Sequence, residues 1–586
     1  MDRTTCNAHW LHSESQQHTA PPICNQPLQS QPITMTATVL PSSNNNSKED
    51  RPVRASASHH PKWQRYQPSI ISGSGSGGDN KGSKSSSKKD NEIYAYQKQY
   101  SHVYSHRLTS LKGRCWESFR LLDSGDQKAD TTTIKEVNRV LELQEDVLSR
   151  IVGTLVKESN DPNEDPILTS NSSNDGNNDC RPSDQLYLED ESGRVALSLE
   201  EDEGDDGSEK PSFCAGRLSH SNVTVHDFCT GLVAGVEGTV DATGTLHVRK
   251  IVPPAPSPSA NASAAADGGQ QHREQKLAEP SGQDPHVLLI SSLQCGDPGV
   301  GTIPREMLIS YLQGHFTDDA AKVCRVILAG SGSSPTNPLD GLKELDMVLG
   351  RQISNGHNRG GCSLPVDVIP SRDDPTTTNW PQRPIHSSLL PSCSKPMVHC
   401  TPNPYAAQIG GTTHNHLVVG TDGLNVRDFQ QHTLTMAENN KNSKVKEEPK
   451  DHDGDVVVDD SENRNNKLSS FRPISELEAL ERTLVWSNIC PTAPASVGSI
   501  PTSDFVLDET PKLYFCGNCE EGFATKLSSS SSKSNSSNKT RLICVPKFHQ
   551  TGKAVLVNLR TLDVEVLQFQ DEVPSPEGTT SSSSSS

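Results

Sequence analysis

The chain has 586 residues, enough for three or four average domains, yet only 31% are hydrophobic and 4% aromatic, with a mean hydropathy of -0.62. A globular chain carries nearer half apolar residues, so a uniformly packed globule of this length is excluded; ordered blocks diluted by disordered insertions are expected. A net charge of -19 and a pI near 5.5 bring no counterion release on phosphate backbones, which disfavours a dedicated nucleic-acid reader and favours a protein partner.

Residues 1–91 are rich in Ser, Gln, Pro, Asn and Gly and end in SGSGSGGDNKGSKSSSKK, which predicts a disordered tail. MDRTTCNAHWLHSE has no apolar h-region, so no secretory leader is expected, and no run approaches the length of a membrane span. The 15 cysteines are scattered without a repeating spacing and are expected to be reduced thiols. The basic tract Lys81–Lys89 is a solvated tail that could also serve nuclear import.

Order is expected from Glu92. Tyr96, Tyr100, Val103, Tyr104, Arg107 and Leu108 recur at helical spacings. RIVGTLVK (Arg150 to Lys157) predicts a strand, DQLYLEDESGRVALSL a hairpin around Glu191 to Gly193, and GLVAGVEGTVDATGTLHVRKIV a second hairpin turning at Asp241 to Gly244. Short strands joined this way over 92–251 predict a small barrel of the OB-fold kind. The acidic run from Leu188 to Glu209 lies in the same region. Tyr187, Phe213 and Phe228 are its few aromatics between residues 150 and 251, whereas an OB barrel for single strands needs a basic groove with stacking rings.

Residues 252–284 are predicted to be a linker, and a second ordered region is expected over 285–570. HVLLIS, RVILAG, LPVDVIP, LVVGTDG, KLYFCGN and TRLICVP predict buried, parallel-like strands. GLKELDMVLG and ISELEALERTLVW predict helices between them, giving an α/β sandwich. Polar inserts at about 350–362, 437–468 and 526–540, with a serine-rich tail over 571–586, are expected to be disordered.

No motif in the chain assembles a catalytic, cofactor or metal site. QCGDPGVGT places Gly296 and Gly301 at P-loop separation, but Thr302 stands where the phosphate-binding Lys belongs, and Pro304 argues against a following helix. Cys516 and Cys519 form a lone CxxC; a structural zinc needs four ligands, and Cys490 and Cys544 are singly placed. His414 and His416 lack a flanking carboxylate pair, and GHNRGG (Gly356 to Gly361) is a loop of the same kind. VKEEP puts Lys446 in the pattern read by SUMO conjugation, a short and common match.

Taken together, YSHVYSHRL (Tyr100 to Leu108), IVGTLVK (Ile151 to Lys157), LYLEDESGRVALS (Leu186 to Ser198), VLLISSL (Val287 to Leu293), RVILAG (Arg325 to Gly330) and LPVDVIPSRDDPTTTNWPQRPIH (Leu364 to His386) resemble one family. PNPYAAQIGG (Pro402 to Gly411), VVGTDGLNVRDF (Val418 to Phe429), ICPTAPASVG (Ile489 to Gly498), LYFCGN (Leu513 to Asn518) and AVLVNLRTL (Ala554 to Leu562) continue the match in order. The family is that of the B subunits of replicative DNA polymerases, its delta members most closely. The resemblance implies an OB-fold barrel plus a calcineurin-like phosphoesterase sandwich that is inactive. It also implies a nuclear, non-catalytic role in replication and repair synthesis. The implied partners are the C-terminal domain of the polymerase delta catalytic subunit and a third subunit, with DNA met only through the complex and no membrane.

Active members of that fold hold two metals about 3.5–4 Å apart with carboxylate and imidazole ligands at strand ends. At those stations this chain carries Ser291, Ser292 and Leu293, then Gly330, Ser331 and Gly332, then Pro370, Ser371 and Arg372, then Cys516, Gly517 and Asn518. Asp373 and Asp374 remain near the third, where a turn before Pro375 also accounts for them. Asn488 replaces the His that commonly precedes the family's PTAP segment. Two alternatives stay open: an active metal-dependent phosphoesterase or nuclease, and a B subunit of polymerase alpha or epsilon.

Overall fold

A computed structural model describes residues 38–40, 101–125, 134–257 and 284–570, leaving out 162, 168–177, 200–211, 215–219, 221–222, 298, 300, 317–319, 321, 331, 354–363, 394–396, 411–414, 437–470, 501–502 and 530–538. The described part of the segment expected to be a tail is Thr38–Leu40 (β1). It is not free, because it pairs antiparallel with residues 566–568 at a sheet edge. Three residues of good strand formers meeting an open edge account for the departure.

Ser101–Gly125 (α1) is the first helix. Val103, Arg107, Leu111, Cys115 and Phe119 are buried, and their spacing of four puts them on one face. That face lies on a barrel made from Lys135–Glu136 (β2), Ser149–Ser159 (β3), Asp184–Glu189 (β4), Arg194–Ser198 (β5), Ser212–Phe213 (β6), Val233–Val240 (β7) and Leu246–Val252 (β8). β3, β4, β5, β8 and β7 pair in a closed ring, antiparallel except between β5 and β8. This is the five-stranded Greek-key ring of an OB-fold. Both hairpin turns fall where the sequence places them: Asp190 accepts from the amides of Ser192 and Gly193, and Asp241 from those of Thr243 and Thr245. Gly235 lets α1 approach β7 closely, since a Cβ there would lie 2.6 Å from the Phe119 ring.

The second unit contains two sheets. One is ordered β1, Val564–Gln568 (β21), Lys553–Asn558 (β20), His286–Ile290 (β9), Val323–Ala329 (β10), Val366–Ile369 (β11) and Val398–Cys400 (β12), of which β9 to β12 run parallel. The other joins Tyr405–Gly410 (β13) and Asn415–Thr421 (β14) to Leu513–Cys519 (β17), Ala524–Ser529 (β18) and Lys539–Pro546 (β19), in the order β13, β14, β17, β19, β18. Leu434–Met436 (β15) and Phe471–Pro473 (β16) form a separate ribbon, while Lys553–Asn558 (β20) and Val564–Gln568 (β21) finish the first sheet. The six parallel-like runs of the sequence thus divide three and three between two sheets.

Period-two alternation sorts the core. Val287, Leu289, Ile327, Ala329, Leu513, Phe515, Ile543 and Val545 face inward and fill the space between the sheets. Leu288, Ile290, Val326 and Leu328 face outward under Thr302–Leu312 (α2) and Pro338–Met347 (α3). On the other sheet, Leu417, Val419, Tyr514, Cys516, Leu542 and Cys544 face outward under Leu424–Gln431 (α4) and Glu476–Val485 (α5). Ser475 caps α5 reciprocally with Glu478. Phe548–Thr551 (α6) is a single turn after β19.

Barrel and sandwich share one apolar cluster, in which Phe213 and Phe228 of the barrel pack on Trp486. Residues 252–257, expected to open the linker, instead pack down: Ala255 and Ser257 are buried, and the Arg114 side chain donates to the Ala255 carbonyl. The polar insert expected from about 350 begins later, since Val348–Ile353 is a π-helical turn, and β18 and β19 extend into the stretch expected at 526–540. The remaining expectations of disorder lie outside the described residues. No helix among the described residues is long and apolar enough to cross a membrane.

Candidate functional site

The carboxyl ends of β9, β10, β14 and β17 and the loop after β11 converge on one spot. Gly330, with φ at +78°, marks its floor, because a Cβ there would lie 2.9 Å from each of the Asn518 amide, Asp422 and Ser371. Ser291 sits beside it, donating its hydroxyl to the Pro546 carbonyl and accepting from the Asn518 amide at 3.0 Å.

Asp373 and Asp374, adjacent in sequence, part company here. Asp373 is exposed, while Asp374 is 5% exposed. Oδ1 of Asp374 accepts from the amides of Gly332 and Ser333 at 3.1 and 3.2 Å, and Oδ2 from the amide and hydroxyl of Ser371 at 2.9 and 3.0 Å. These bonds pin the loops after β10 and β11 together. Asp422 is a buried carboxylate at the same place that sequence reasoning missed. Its Oδ1 accepts from Asn403 Nδ2 at 2.8 Å and from the Leu424 amide, and its carbonyl accepts from Asn518 Nδ2. Burial raises the pKa of both carboxyls, and the charge of Asp374 raises that of Asp422 further. The GTDG turn was the available signal, but nothing local ties it to the loop after β11.

Ser292, at φ +56°, hydrogen-bonds His549 Nδ1 at 2.9 Å, and burial lowers the His549 pKa. Ser292 is 1% exposed, so the pair ties the loop after β9 to α6 and does not offer a nucleophile to solvent. Leu293 is core.

The P-loop imitation resolves otherwise. Pro304 does not block a helix: it sits in the first turn of α2, where backbone amides have no intrahelical acceptor. The Gly296 amide donates to Glu344 Oε2 at 2.6 Å, and Arg305 pairs with the same carboxylate. A carboxylate therefore occupies the loop's donor and would repel a phosphate.

The CxxC thiols are buried, but Cys544 is not singly placed. It lies 3.8 Å from Cys516, which is 3.5 Å from Cys519, whereas Cys490 bonds Thr492 elsewhere. A second group, Cys180, Asp184 and His226, already surrounds a cation: Lys157 Nζ is 3.4 Å from the Cys180 sulfur and 3.9 Å from Asp184. His416 lies on β14 opposite Ile409; His414, Gly356 to Gly361, Lys446 and the Lys81–Lys89 tract lie outside the described residues.

In the barrel, Phe213 and Phe228 are core and Tyr187 is covered by the Arg194 guanidinium, 4.3 Å from its centroid. The three rings are engaged within the protein and leave no stacking platform among themselves. Asn488, in the family's His position, bridges within its loop, accepting from the Cys490 amide and donating to the Asp504 carbonyl.

The model of the B-subunit family of DNA polymerases alpha and epsilon matches residues 287–525, and that of the DNA polymerase delta subunit OB-fold domain matches 99–251. The DNA polymerase delta small subunit of Oryza sativa subsp. japonica is 26% identical over 521 residues, 82% of this chain and 96% of that protein. That of Saccharomyces cerevisiae is 26% identical over 505 residues, 81% of this chain and 90% of that protein. DNA polymerase delta subunit 2 of Drosophila melanogaster is 26% identical over 497 residues, 81% of this chain and 94% of that protein.

Proposed function

The chain belongs to the B-subunit family of the replicative DNA polymerases, on its delta side, and from that premise we propose that it is a non-catalytic scaffold of the nuclear polymerase delta complex. It holds the C-terminal domain of the catalytic subunit and a further subunit, and it meets DNA through them. The sandwich is a phosphoesterase-type fold whose metal chemistry has been dismantled.

The observation that carries this reading is the state of the strand-end carboxylates. A dinuclear site needs several anionic or imidazole ligands with lone pairs free to face the metals. Ser291, Gly330, Ser371 and Asn518 stand at those ends. Both oxygens of Asp374 accept from amides and hydroxyls of neighbouring loops. Those groups now serve as staples.

Co-expression with the C-terminal domain of the cognate polymerase delta catalytic subunit tests the proposal. Stoichiometric co-elution on size exclusion is expected. Separate elution would reject the delta assignment and direct the same test to the alpha and epsilon subunits. A second reading, residual metal-dependent phosphoesterase activity, is favoured only by the proximity of Asp374 and Asp422. Manganese titration against bis-p-nitrophenyl phosphate is expected to give no turnover. Turnover abolished by Asp374→Ala would restore the enzyme.

A further inference from the structure

Three sulfurs meet on the outer face of the second sheet. β17 and β19 run parallel, and their register sets Cys516 opposite Cys544. Strict alternation along β17 would send Cys519, three residues on, to the other face. The ladder slips between Cys516 and Cys519, and Asn518 takes a φ of +53°, a conformation a non-glycine residue adopts at a cost. The irregularity turns Cys519 back to the side of Cys516. The resulting separations are 3.5 Å between the sulfurs of Cys516 and Cys519 and 3.8 Å between those of Cys516 and Cys544, with all three inside 4.8 Å of one another.

The spacing has chemical content. Zinc–thiolate bonds of about 2.3 Å in a tetrahedral array hold their sulfurs about 3.8 Å apart, whereas a disulfide needs about 2.05 Å. The surroundings are dry: the thiols are 0%, 3% and 0% exposed, among Ala479, Leu480 and Leu542. Soft thiolates in an apolar shell select thiophilic closed-shell ions over harder ones. Unlike the cluster around Lys157, no protein cation is paired with these sulfurs in a described salt bridge or hydrogen bond.

We propose that Cys516, Cys519 and Cys544 form a structural thiolate site for a thiophilic closed-shell cation, zinc(II) or copper(I), that pins β17 to β19. On binding, the ion replaces thiol protons, which leave to solvent. Copper(I) is satisfied by three thiolates. Zinc takes a fourth ligand beyond the three thiolates; the Glu476 carboxylate is already held by the amides of Glu520 and Glu521 just beyond Cys519, so a solvent molecule is the expected fourth ligand. The site is independent of the strand-end carboxylates and of the scaffold assignment.

The test uses the full chain, purified without chelator and analysed for metals by mass spectrometry beside Cys544→Ser. About one zinc or copper ion per chain is expected, with the element deciding between the two, and the variant should lose it. In a second measurement that needs no variant, chelator-stripped wild type is titrated with cobalt(II) and, separately, copper(I). A thiolate-to-metal charge-transfer band saturating near one equivalent is expected with at least one of them. A folded wild type that binds neither ion stoichiometrically, or a Cys544→Ser chain that retains its metal, would overturn the proposal.

Discussion

His226 shows what burial does to a base in this chain. It lies in the turn Val225–Asp227, edge-on to Phe471 with ring centroids 5.1 Å apart. Asp184 is 3.7 Å from its Nδ1, and Lys157 and Asp227 also face it. Burial first, and then the Lys157 charge, push its pKa down to about 4. The unfolded chain holds that proton below about pH 6.5, so between about 6.5 and 4 the unfolded state binds more protons than the native one. Stability from this group is therefore full above pH 6.5 and falls as pH drops through that window, by up to about 3 kcal/mol. His226→Phe is expected to flatten the loss. Thermal unfolding of both chains at pH 7 and pH 4.5 checks it: a variant that loses as much as wild type would reject this account.

At the scale of elements, the ribbon of β15 and β16 makes a sharp statement. Met436 and Phe471 are register partners across an antiparallel pair, although 34 residues separate them in the sequence. Their backbones are therefore close enough for a two-residue hairpin turn. Replacing 437–470 by Asn-Gly is expected to leave the melting temperature unchanged and the co-elution with the catalytic subunit intact. A fall of more than about 5 °C would mean that the excised stretch carries tertiary contacts. Ser529 and Lys539 pair in the same way across 530–538. Lengthening a hairpin loop costs little, growing only as the logarithm of its length, so such inserts are tolerated wherever the two strand ends stay paired.

At the scale of the molecule, one side chain joins three distant segments. Arg107 of α1 is fully buried and donates to the carbonyls of Gly231 in the barrel and of Pro491, Ala493 and Asp504 in the sandwich, at 2.8 to 3.2 Å. The guanidinium fork serves four carbonyl acceptors at the joint, and the Asp504 carbonyl accepts from Asn488 as well. Hydrogen bonds to a charged donor contribute about 1.5–3 kcal/mol each, so Arg107→Ala is expected to cost about 3 kcal/mol or more. Arg107→Lys should rescue little, because an ammonium cannot reproduce the fork. Melting temperature and limited proteolysis between barrel and sandwich measure both. A rigid joint is what the proposed scaffold role requires, since partners held on two units would keep a fixed spacing only if the units do.

Much of this was legible in the chain alone because it is local. Continuous apolar runs such as HVLLIS and RVILAG mark strands buried on both faces, ISELEALERTLVW marks a helix, and the turns around Glu191 to Gly193 and at Asp241 to Gly244 mark hairpins. The serines and glycines at the strand-end stations were equally plain. The tertiary structure alone decided which parallel runs share a sheet, that Asp422 lies beside Asp374, that Pro304 opens a helix, and that Cys544 completes the CxxC. Periodicity says which face of an element is buried, but not against what. Partner and register follow from how all the faces pack at once, and residues 28 apart, such as Cys516 and Cys544, meet only when that packing is complete.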